Sequence, residues 1–376
     1  MMRTISTLVL CATFTTSAAA QGTLSTQGFG YPAGGLSTHA EALGGSIAES
    51  DPLSPVNPAT LSSWGRPGLY FQYDPEFRTV SGGGNNSSTL TARFPMVAGA
   101  LNIGPRLTFG LSATTFLDRT WEVTRSGYVH DGADSSLYGE KFSTDGAIND
   151  LRAAFAFSVL PTLSVGIGGH VLTGQNRLLI TREFSDTATA IFSERSTLSY
   201  TGHSVSGGIA WRPLPVLSFG VSGVAGGTMH SFRNDTSLST AKVPKRFGFG
   251  GLFGGISGLL LSANAEWNGW SALNGLGDVD AHAVDGWDYG VGAEVRAPAL
   301  FGQEIPVRIG YRHRILPFQA AGEAVQETDY SAGIGIPIRR GASRIDFSLT
   351  RSNRSANVPD VTEHAWILSA GFFVRP

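Results

Sequence analysis

Residues 148–181, INDLRAAFAFSVLPTLSVGIGGHVLTGQNRLLIT, decide the fold. Leu151, Ala153, Phe155, Phe157 and Val159 share one face of an extended chain, and Arg152, Ala154, Ala156 and Ser158 share the other, because successive side chains of a strand point to opposite sides. Leu160-Pro161-Thr162 is a tight turn, and a second long segment follows it. The same alternation separates Leu107, Phe109, Leu111 and Ala113 from Thr108, Gly110, Ser112 and Thr114. It also separates Val307, Ile309, Tyr311 and Ile315 from Arg308, Gly310, Arg312 and Arg314. From Gly68 onward fourteen such segments are read, at 68–80, 89–102, 106–120, 148–160, 162–181, 199–213, 215–232, 243–255, 257–270, 286–297, 305–316, 328–338, 343–353 and 362–374. Each is long enough to cross an outer membrane, which takes about 9–11 tilted residues.

The connections alternate in length. Tight turns fall at Ile103-Gly104-Pro105, Leu160-Pro161-Thr162, Pro213-Leu214-Pro215, Gly255-Ile256-Ser257 and Arg340-Gly341-Ala342, with a slightly longer one at 298–304. The intervening loops are longer and more polar, above all 121–147 and 182–198. Short turns on one side and long loops on the other mark an outer-membrane barrel. A lumen ringed by this many strands is too wide for the wall's own side chains to fill. The apolar face is therefore assigned to lipid and the polar face to the lumen. Trp64, Trp121, Trp211, Trp267, Trp270 and Trp287 lie near strand ends, where an interfacial aromatic girdle is expected. In the last strand Trp366, Leu368, Ala370, Phe372 and Val374 form one apolar row, although the chain ends on Arg375-Pro376 rather than on an aromatic residue.

Composition agrees. The chain has 376 residues, 49 of them glycine, with 15% charged residues and a formal net charge of −2. Such a balance gives no electrostatic basis for binding nucleic acid. Residues 1–20 read as a signal peptide: Arg3 opens it, Ile5 to Phe14 form its apolar core, and Ala18-Ala19-Ala20 is the cleavage site. The single cysteine, Cys11, falls inside that segment, so the exported chain is expected to lack disulfides. No run of about 18 apolar residues follows, the nearest, Gly250 to Ala265, being broken by glycines and serines.

The 21–67 region differs from the rest. Ala42 to Ala48 is a small-residue run broken by Asp51-Pro52. Asn57-Pro58-Ala59 reads as a capped helical turn with proline in its first position. A compact segment before a continuous run of strands is read as an N-terminal plug, or hatch, with the barrel occupying 68–376.

This segment resembles the N-terminal region of the FadL/TodX superfamily, outer-membrane channels for long-chain fatty acids and hydrocarbons. The matching features are Gly44-Gly45, Glu49, Asp51-Pro52 and Asn57-Pro58-Ala59. Glu266-Trp267-Asn268-Gly269-Trp270-Ser271-Ala272-Leu273 is similar to the family's Trp-x-x-Trp-Ser segment. Val243-Pro244-Lys245-Arg246-Phe247-Gly248, Pro306 to Tyr311 with Pro317, and Val358-Pro359-Asp360 fit in family order. The resemblance implies an all-β, fourteen-stranded antiparallel transmembrane barrel in the outer membrane of a Gram-negative-type bacterium. It also implies passive uptake: loops catch a hydrophobic molecule, a lumen pocket takes it, plug movement frees it, and it leaves sideways beside a kinked third strand. Pro75 and Pro95 sit within the first two strands, where each removes a ladder hydrogen bond and favours a bulge or kink. The third, Thr108 to Asp118, has no proline and only Gly110, so its kink is not legible. The competing reading is a non-transporting barrel that anchors a protein partner, as in PorV-type secretion.

Several residues carry candidate roles. Arg152, Arg308, Arg312 and Arg314 fall on lumen faces, where an arginine can hold a carboxylate in bidentate geometry or pair with Glu294, Glu266 or Asp346 to brace the barrel. Phe116 and Trp121 lead into the longest loop, as a groove for an apolar tail or as interface anchors. Asn57, Pro58 and Ala59 are assigned to shaping and gating the plug. Asp278, Asp280, Asp285 and Asp288 form either a calcium loop or a solvated acidic loop. The histidines show no metal-ligand spacing, and no Ser/His/Asp set is assembled, although His203 and Ser204 adjoin. Gly248 to Gly251 are strand glycines, because no phosphate-loop helix follows. The sequence therefore predicts no enzyme, cofactor or metal, and a monomer whose partners are a hydrophobic ligand and outer-membrane lipid.

Overall fold

The structure, a computed structural model, describes residues 29–375 apart from 83–84, 132–133, 186–190, 277–281, 297–303, 321, 339–342 and 357–360. The expected signal peptide, Asp278, Asp280, most of the 298–304 turn, Arg340-Gly341-Ala342 and Val358-Pro359-Asp360 lie outside these residues.

The strand segments are β1 (Gly68–Gly82), β2 (Asn85–Arg93), β3 (Met96–Asn102), β4 (Leu107–Asp118), β5 (Trp121–Asp131), β6 (Asp134–Leu160), β7 (Leu163–Phe184), β8 (Phe192–Leu214) and β9 (Leu217–Arg233). They continue as β10 (Thr236–Lys242), β11 (Arg246–Ile256), β12 (Leu259–Asn268), β13 (Gly286–Arg296), β14 (Pro306–Ala320), β15 (Glu323–Ile338), β16 (Ser343–Ser355) and β17 (Val361–Val374). All pair antiparallel, and β1 pairs both β17 and β2/β3, which closes the sheet. Three barrel strands are each interrupted once: at Phe94-Pro95 between β2 and β3, at Arg119-Thr120 between β4 and β5, and at Val243-Pro244-Lys245 between β10 and β11. The segments therefore make a closed fourteen-stranded barrel.

The faces fall as the alternation requires. Leu151, Phe155, Phe157 and Val159 are exposed on the outside, whereas Arg152, Ala154 and Ala156 are buried within. An apolar outer belt with a polar interior fits lipid outside. Two loops are corrected. Residues 121–147 form β5 and the outer half of β6, which pair from Trp121↔Thr144 to Asp131↔Asp134. β7 and β8 likewise stay paired to Arg182↔Phe192. The strict alternation lapses in these outer halves, as in the consecutive Leu178, Leu179 and Ile180, although the ladder continues. Two girdle tryptophans are also corrected: Trp64 and Trp270 are buried, Trp64 edge-on against Phe373 and Trp270 beside Phe116.

The N-terminal segment fills the lumen. Helix α1 (Thr38–Ala42) is capped by Ser37, whose Oγ accepts from Ala40 N. A 3-10 turn spans Pro58–Trp64, with Asn57 Oδ1 accepting from Ala59 N. Both elements press on lumen-facing glycines. A Cβ on Gly310 would stand 2.1 Å from Gly44 N, one on Gly166 2.4 Å from Ala59 N, and one on Gly220 2.0 Å from Glu49 O. Part of the glycine content thus serves close backbone approach between this segment and the wall. Gly44 itself sits at φ 63°, with its Cβ position 2.5 Å from Tyr311 O.

Candidate functional site: a lumen cavity and a gap in the wall

Pro95 has no N–H, so the second barrel strand breaks there. Below the break, β3 pairs β4 from Met96↔Thr114 to Asn102↔Thr108, and Thr115 N donates to Pro95 O at 2.9 Å. Above it, β2 pairs only β1, while the outer third strand pairs only β6. Among the described residues no ladder joins β2 to β4 or β5. The third strand, whose kink the sequence did not disclose, has a bulge between Thr115 and Leu117 and a break after Asp118. A cavity of about 680 Å³ opens at this gap, lined by Leu90, Phe94, Trp121 and Gly146 among others.

The inner side of the gap is closed by charge and by the N-terminal segment. Arg93 Nε donates to Asp118 Oδ2 across it. Tyr31 forms a two-way backbone bridge with Asp118, 2.8 Å in each direction. The Tyr31 ring lies beneath the guanidinium groups of Arg93, Arg314 and Arg354, at 5.3, 5.1 and 4.7 Å from its centroid. Its hydroxyl lies 2.9 Å from Glu327 Oε2 and accepts from Arg314 Nη2 at 2.6 Å. Arg354 Nη1 joins this cage to Glu76 at 2.8 Å and to Glu363 at 2.7 Å. Burial pushes the Tyr31 hydroxyl up to about 12, so it remains a donor in neutral solution. Charges this buried are stable only when paired; removing one partner strands the other.

Inside the barrel, next to this closure, lies a second cavity of about 170 Å³. Phe116, Leu172, Val224, Trp270 and Ile315 give it apolar walls, and Asp150, His170, Arg246, Arg312 and Arg314 give it polar ones. A cavity of that order holds a single aromatic ring.

The candidate residues distribute unequally. Phe116, Arg312 and Arg314 line the inner cavity together. Arg312 is held by Asp288, with Nε 2.9 Å from Oδ1, and Arg314 by Glu327. Arg308 does not join them: it is buried and spans Glu294 at 2.7 Å and Asp346 at 2.6 Å. The bracing alternative therefore describes these three. Arg152 is different. It is buried, it has no ion-pair partner among the described residues, and its Nη1 lacks a hydrogen-bond partner. Trp121 lies at the wall gap, stacked on Phe142 at 5.2 Å, and so is separated from Phe116. Asn57 is fully buried and donates to Glu49 O at 2.9 Å and Ile209 O at 3.0 Å, which ties the segment to β8; Pro58 and Ala59 are buried beside it. Asp288 pairs with Arg312 and Asp285 accepts from Ser271 N.

The sequence reading missed Tyr31, the Arg93–Asp118 pair, and a chain of Asp150, His170 and Ser206. His203, the histidine singled out beside a serine, is exposed on the lipid-facing register.

A closed fourteen-stranded barrel with an apolar outer face and no long apolar helix among its described residues is an outer-membrane barrel of a Gram-negative bacterium. Comparison with solved structures specifies the type: the chain has the FadL/TodX-type fold. It is similar to a FadL homologue of Pseudomonas aeruginosa (TM-score 0.63, 14% identity, 92% of this chain and 99% of that one). It is also similar to the toluene transporter TbuX of Ralstonia pickettii (0.57, 16%, 93% and 99%) and to the toluene transporter TodX of Pseudomonas putida (0.54, 12%, 90% and 97%). No protein-family model and no curated protein matches the sequence.

Proposed function

We propose that this barrel takes up small hydrophobic molecules passively and releases them sideways through the gap between β2 and the outer third strand. The observation that carries the reading is the Tyr31–Asp118 bridge, which seats the N-terminal segment against the inner side of an unpaired stretch of wall and beside an apolar cavity. In this reading residues 29–67 act as the plug. Withdrawal of Tyr31 and parting of Arg93 from Asp118 join the cavity to the gap. A hydrocarbon then passes into lipid without crossing open water, where each exposed methylene costs about 0.8 kcal/mol. The cavity volume favours a ring-sized hydrocarbon, or one end of a longer chain, while the plug is seated. Arg152 is the lumen arginine left to meet a polar end group. The names of the structural neighbours, toluene transporters among them, support the same class of cargo. Uptake needs no catalytic step, and the barrel works as a monomer in contact with outer-membrane lipid. A protein-anchoring role has no comparable support, because it gives the wall gap no purpose.

The test is native mass spectrometry of the detergent-purified barrel after exposure to toluene or oleate. The wild type is expected to retain ligand, and the Asn57→Ala/Pro58→Ala double variant to lose it. An empty wild-type barrel, with cellular uptake of both compounds unchanged by its deletion, overturns the proposal.

A further inference from the structure

The lumen face of β6, β7 and β8 carries a hydrogen-bonded chain that uptake does not require. His170 Nδ1 lies 2.8 Å from Asp150 Oδ2 and 3.0 Å from Oδ1, and His170 Nε2 lies 2.8 Å from Ser206 Oγ. An ionised carboxylate only accepts, so Nδ1 carries the ring proton and Nε2 accepts from the serine hydroxyl. That tautomer is the one a general base needs, with the acid orienting the ring. Strand register produces the arrangement: Arg152 stands opposite His170, and Gly168 opposite Ser206.

Two further features converge on Ser206. A Cβ on Gly168 would stand 2.6 Å from Ser206 Oγ and 3.4 Å from Arg152 Cδ, so glycine gives the hydroxyl its place against the β7 backbone, with the arginine stem beside it. Arg152 Nη1 is buried and unpartnered, an expensive state for a cation unless something else meets it. Asp150 and His170 also line the apolar inner cavity. The acid and the base thus border the apolar chamber, and the nucleophile and the cationic donor lie directly behind them rather than in its lining, which brings together the parts of an acyl-transfer site. The Asp150 carboxylate offsets the Arg152 charge, yet Arg152 Nη1 has no hydrogen-bond partner among the described residues and is left for a ligand oxygen.

We propose that Ser206, His170 and Asp150 form a serine-esterase site within the lumen, acting on short-chain carboxylic esters of aromatic alcohols, with Arg152 as the oxyanion donor. Ser206 Oγ attacks the ester carbonyl carbon while its proton passes to His170 Nε2. Negative charge develops on the carbonyl oxygen, where a preorganised cationic donor is worth most. The bond to the alcohol oxygen then breaks, and that oxygen takes the proton from His170. A lumen water, deprotonated by His170, attacks the acyl-serine, releases the carboxylic acid and restores the hydroxyl. The sum is ester plus water giving acid plus alcohol. Asp150 accepts from Nδ1 and holds the imidazole in place throughout. Such an activity trims an ester that has entered the same cavity, and so goes beyond uptake.

The experiment treats the purified full-length barrel with p-nitrophenyl acetate, and separately with a fluorophosphonate. Nitrophenolate release and the adduct mass on the Ser206 peptide are measured. The wild type is expected to form the adduct and to hydrolyse the ester. Ser206→Ala should lose the adduct and about a thousandfold in rate; His170→Gln, which keeps the serine hydroxyl, should form the adduct far more slowly than the wild type. Heat-modifiable electrophoretic mobility reports whether each variant is folded. The Asn57→Ala/Pro58→Ala barrel is assayed in parallel, so that a seated N-terminal segment does not hide the site; an adduct formed only there supports the proposal. Absence of adduct in both barrels, or hydrolysis by Ser206→Ala at the wild-type rate, overturns it. Hydrocarbon uptake by the wild-type barrel is read separately, so an inert Ser206 leaves the transport proposal standing.

Discussion

Replacing Tyr31 by phenylalanine should loosen the closure of the wall gap while leaving the barrel intact. The ring, and with it the contacts to Arg93, Arg314 and Arg354, is kept. What is lost is the hydroxyl, which meets Glu327 at 2.9 Å, Arg314 at 2.6 Å and Arg354 at 3.1 Å. A hydrogen bond to a charged group contributes about 1.5–3 kcal/mol. The hydroxyl has one proton to give, and the arginines keep Glu76, Glu327 and Glu363 as partners. The net loss should therefore be of the order of one such bond rather than three. That corresponds to roughly a ten- to hundredfold shift in the balance between seated and released segment, at about 1.4 kcal/mol per factor of ten. The Tyr31 amide reports it directly, because it donates to Asp118 O only when seated. Hydrogen exchange at this amide in detergent should accelerate by that factor. The amide of Leu43, held by Ala40 O after α1, should exchange as before. Unchanged exchange at residue 31, or equal acceleration at both amides, refutes the idea that Tyr31 is a local fastening of the gap.

Three other perturbations follow from the same geometry. Arg308→Ala takes one of two arginines from the buried Asp346, which keeps Arg344 at 2.6 Å, and leaves Glu294 with His39; it should cost less than the about 3–5 kcal/mol of a stranded charge, read as a lowered urea midpoint of the barrel. Gly44→Ala puts a Cβ at φ 63° and 2.5 Å from Tyr311 O; the left-handed strain alone is about 1–2 kcal/mol, and exchange at the amide of Gly45, which donates to Ala40 O, should rise while the wall ladders stay protected. Burial, with Asp74 beside it, holds the Glu41 carboxyl well above its ordinary value. The seated state thus keeps this proton to higher pH than the released one, so seating is strongest below the ordinary glutamate range and weakens as pH rises through the raised value. Melting followed by tryptophan fluorescence across about pH 4 to 8 should show this slope, and Glu41→Gln should flatten it; an identical slope in the variant contradicts the assignment.

The barrel was legible because lipid imposes a strict alternation on every strand that crosses it. Leu151 to Val159 can be read without any knowledge of neighbouring strands. The outer halves of β5 to β8 lacked that signal, as the consecutive Leu178, Leu179 and Ile180 show. The break at Pro95 followed from a missing N–H. At Pro244 the proline was legible only as the opening of a strand read over 243–255, and Thr236–Lys242, read as connection, instead carries the ladder on beyond it. The break at Arg119-Thr120 had no such local cause, because tertiary hydrogen bonds hold it: Arg119 N donates to Gly146 O at 2.9 Å, and Thr144 Oγ1 donates to Arg119 O. The lumen arginines were legible by parity alone, but which of them lacked a partner depended on register between strands. Arg308 meets Asp346 across a 38-residue separation, whereas Arg152 meets no acid within hydrogen-bond range. Tyr31 had no local signature; its role arises from four strands whose charges converge on one ring. Asp150, His170 and Ser206 are each ordinary lumen-face residues until β6, β7 and β8 are aligned.

The central claim, sideways release through the gap, is tested most directly by bridging it. Arg93 and Asp118 face each other across the opening. A barrel carrying Arg93→Cys and Asp118→Cys, joined by a short reducible dithiol-reactive linker, should take up radiolabelled toluene at the rate of cells lacking the barrel and should recover uptake when the linker is reduced. Undiminished uptake with the bridge in place would contradict lateral release.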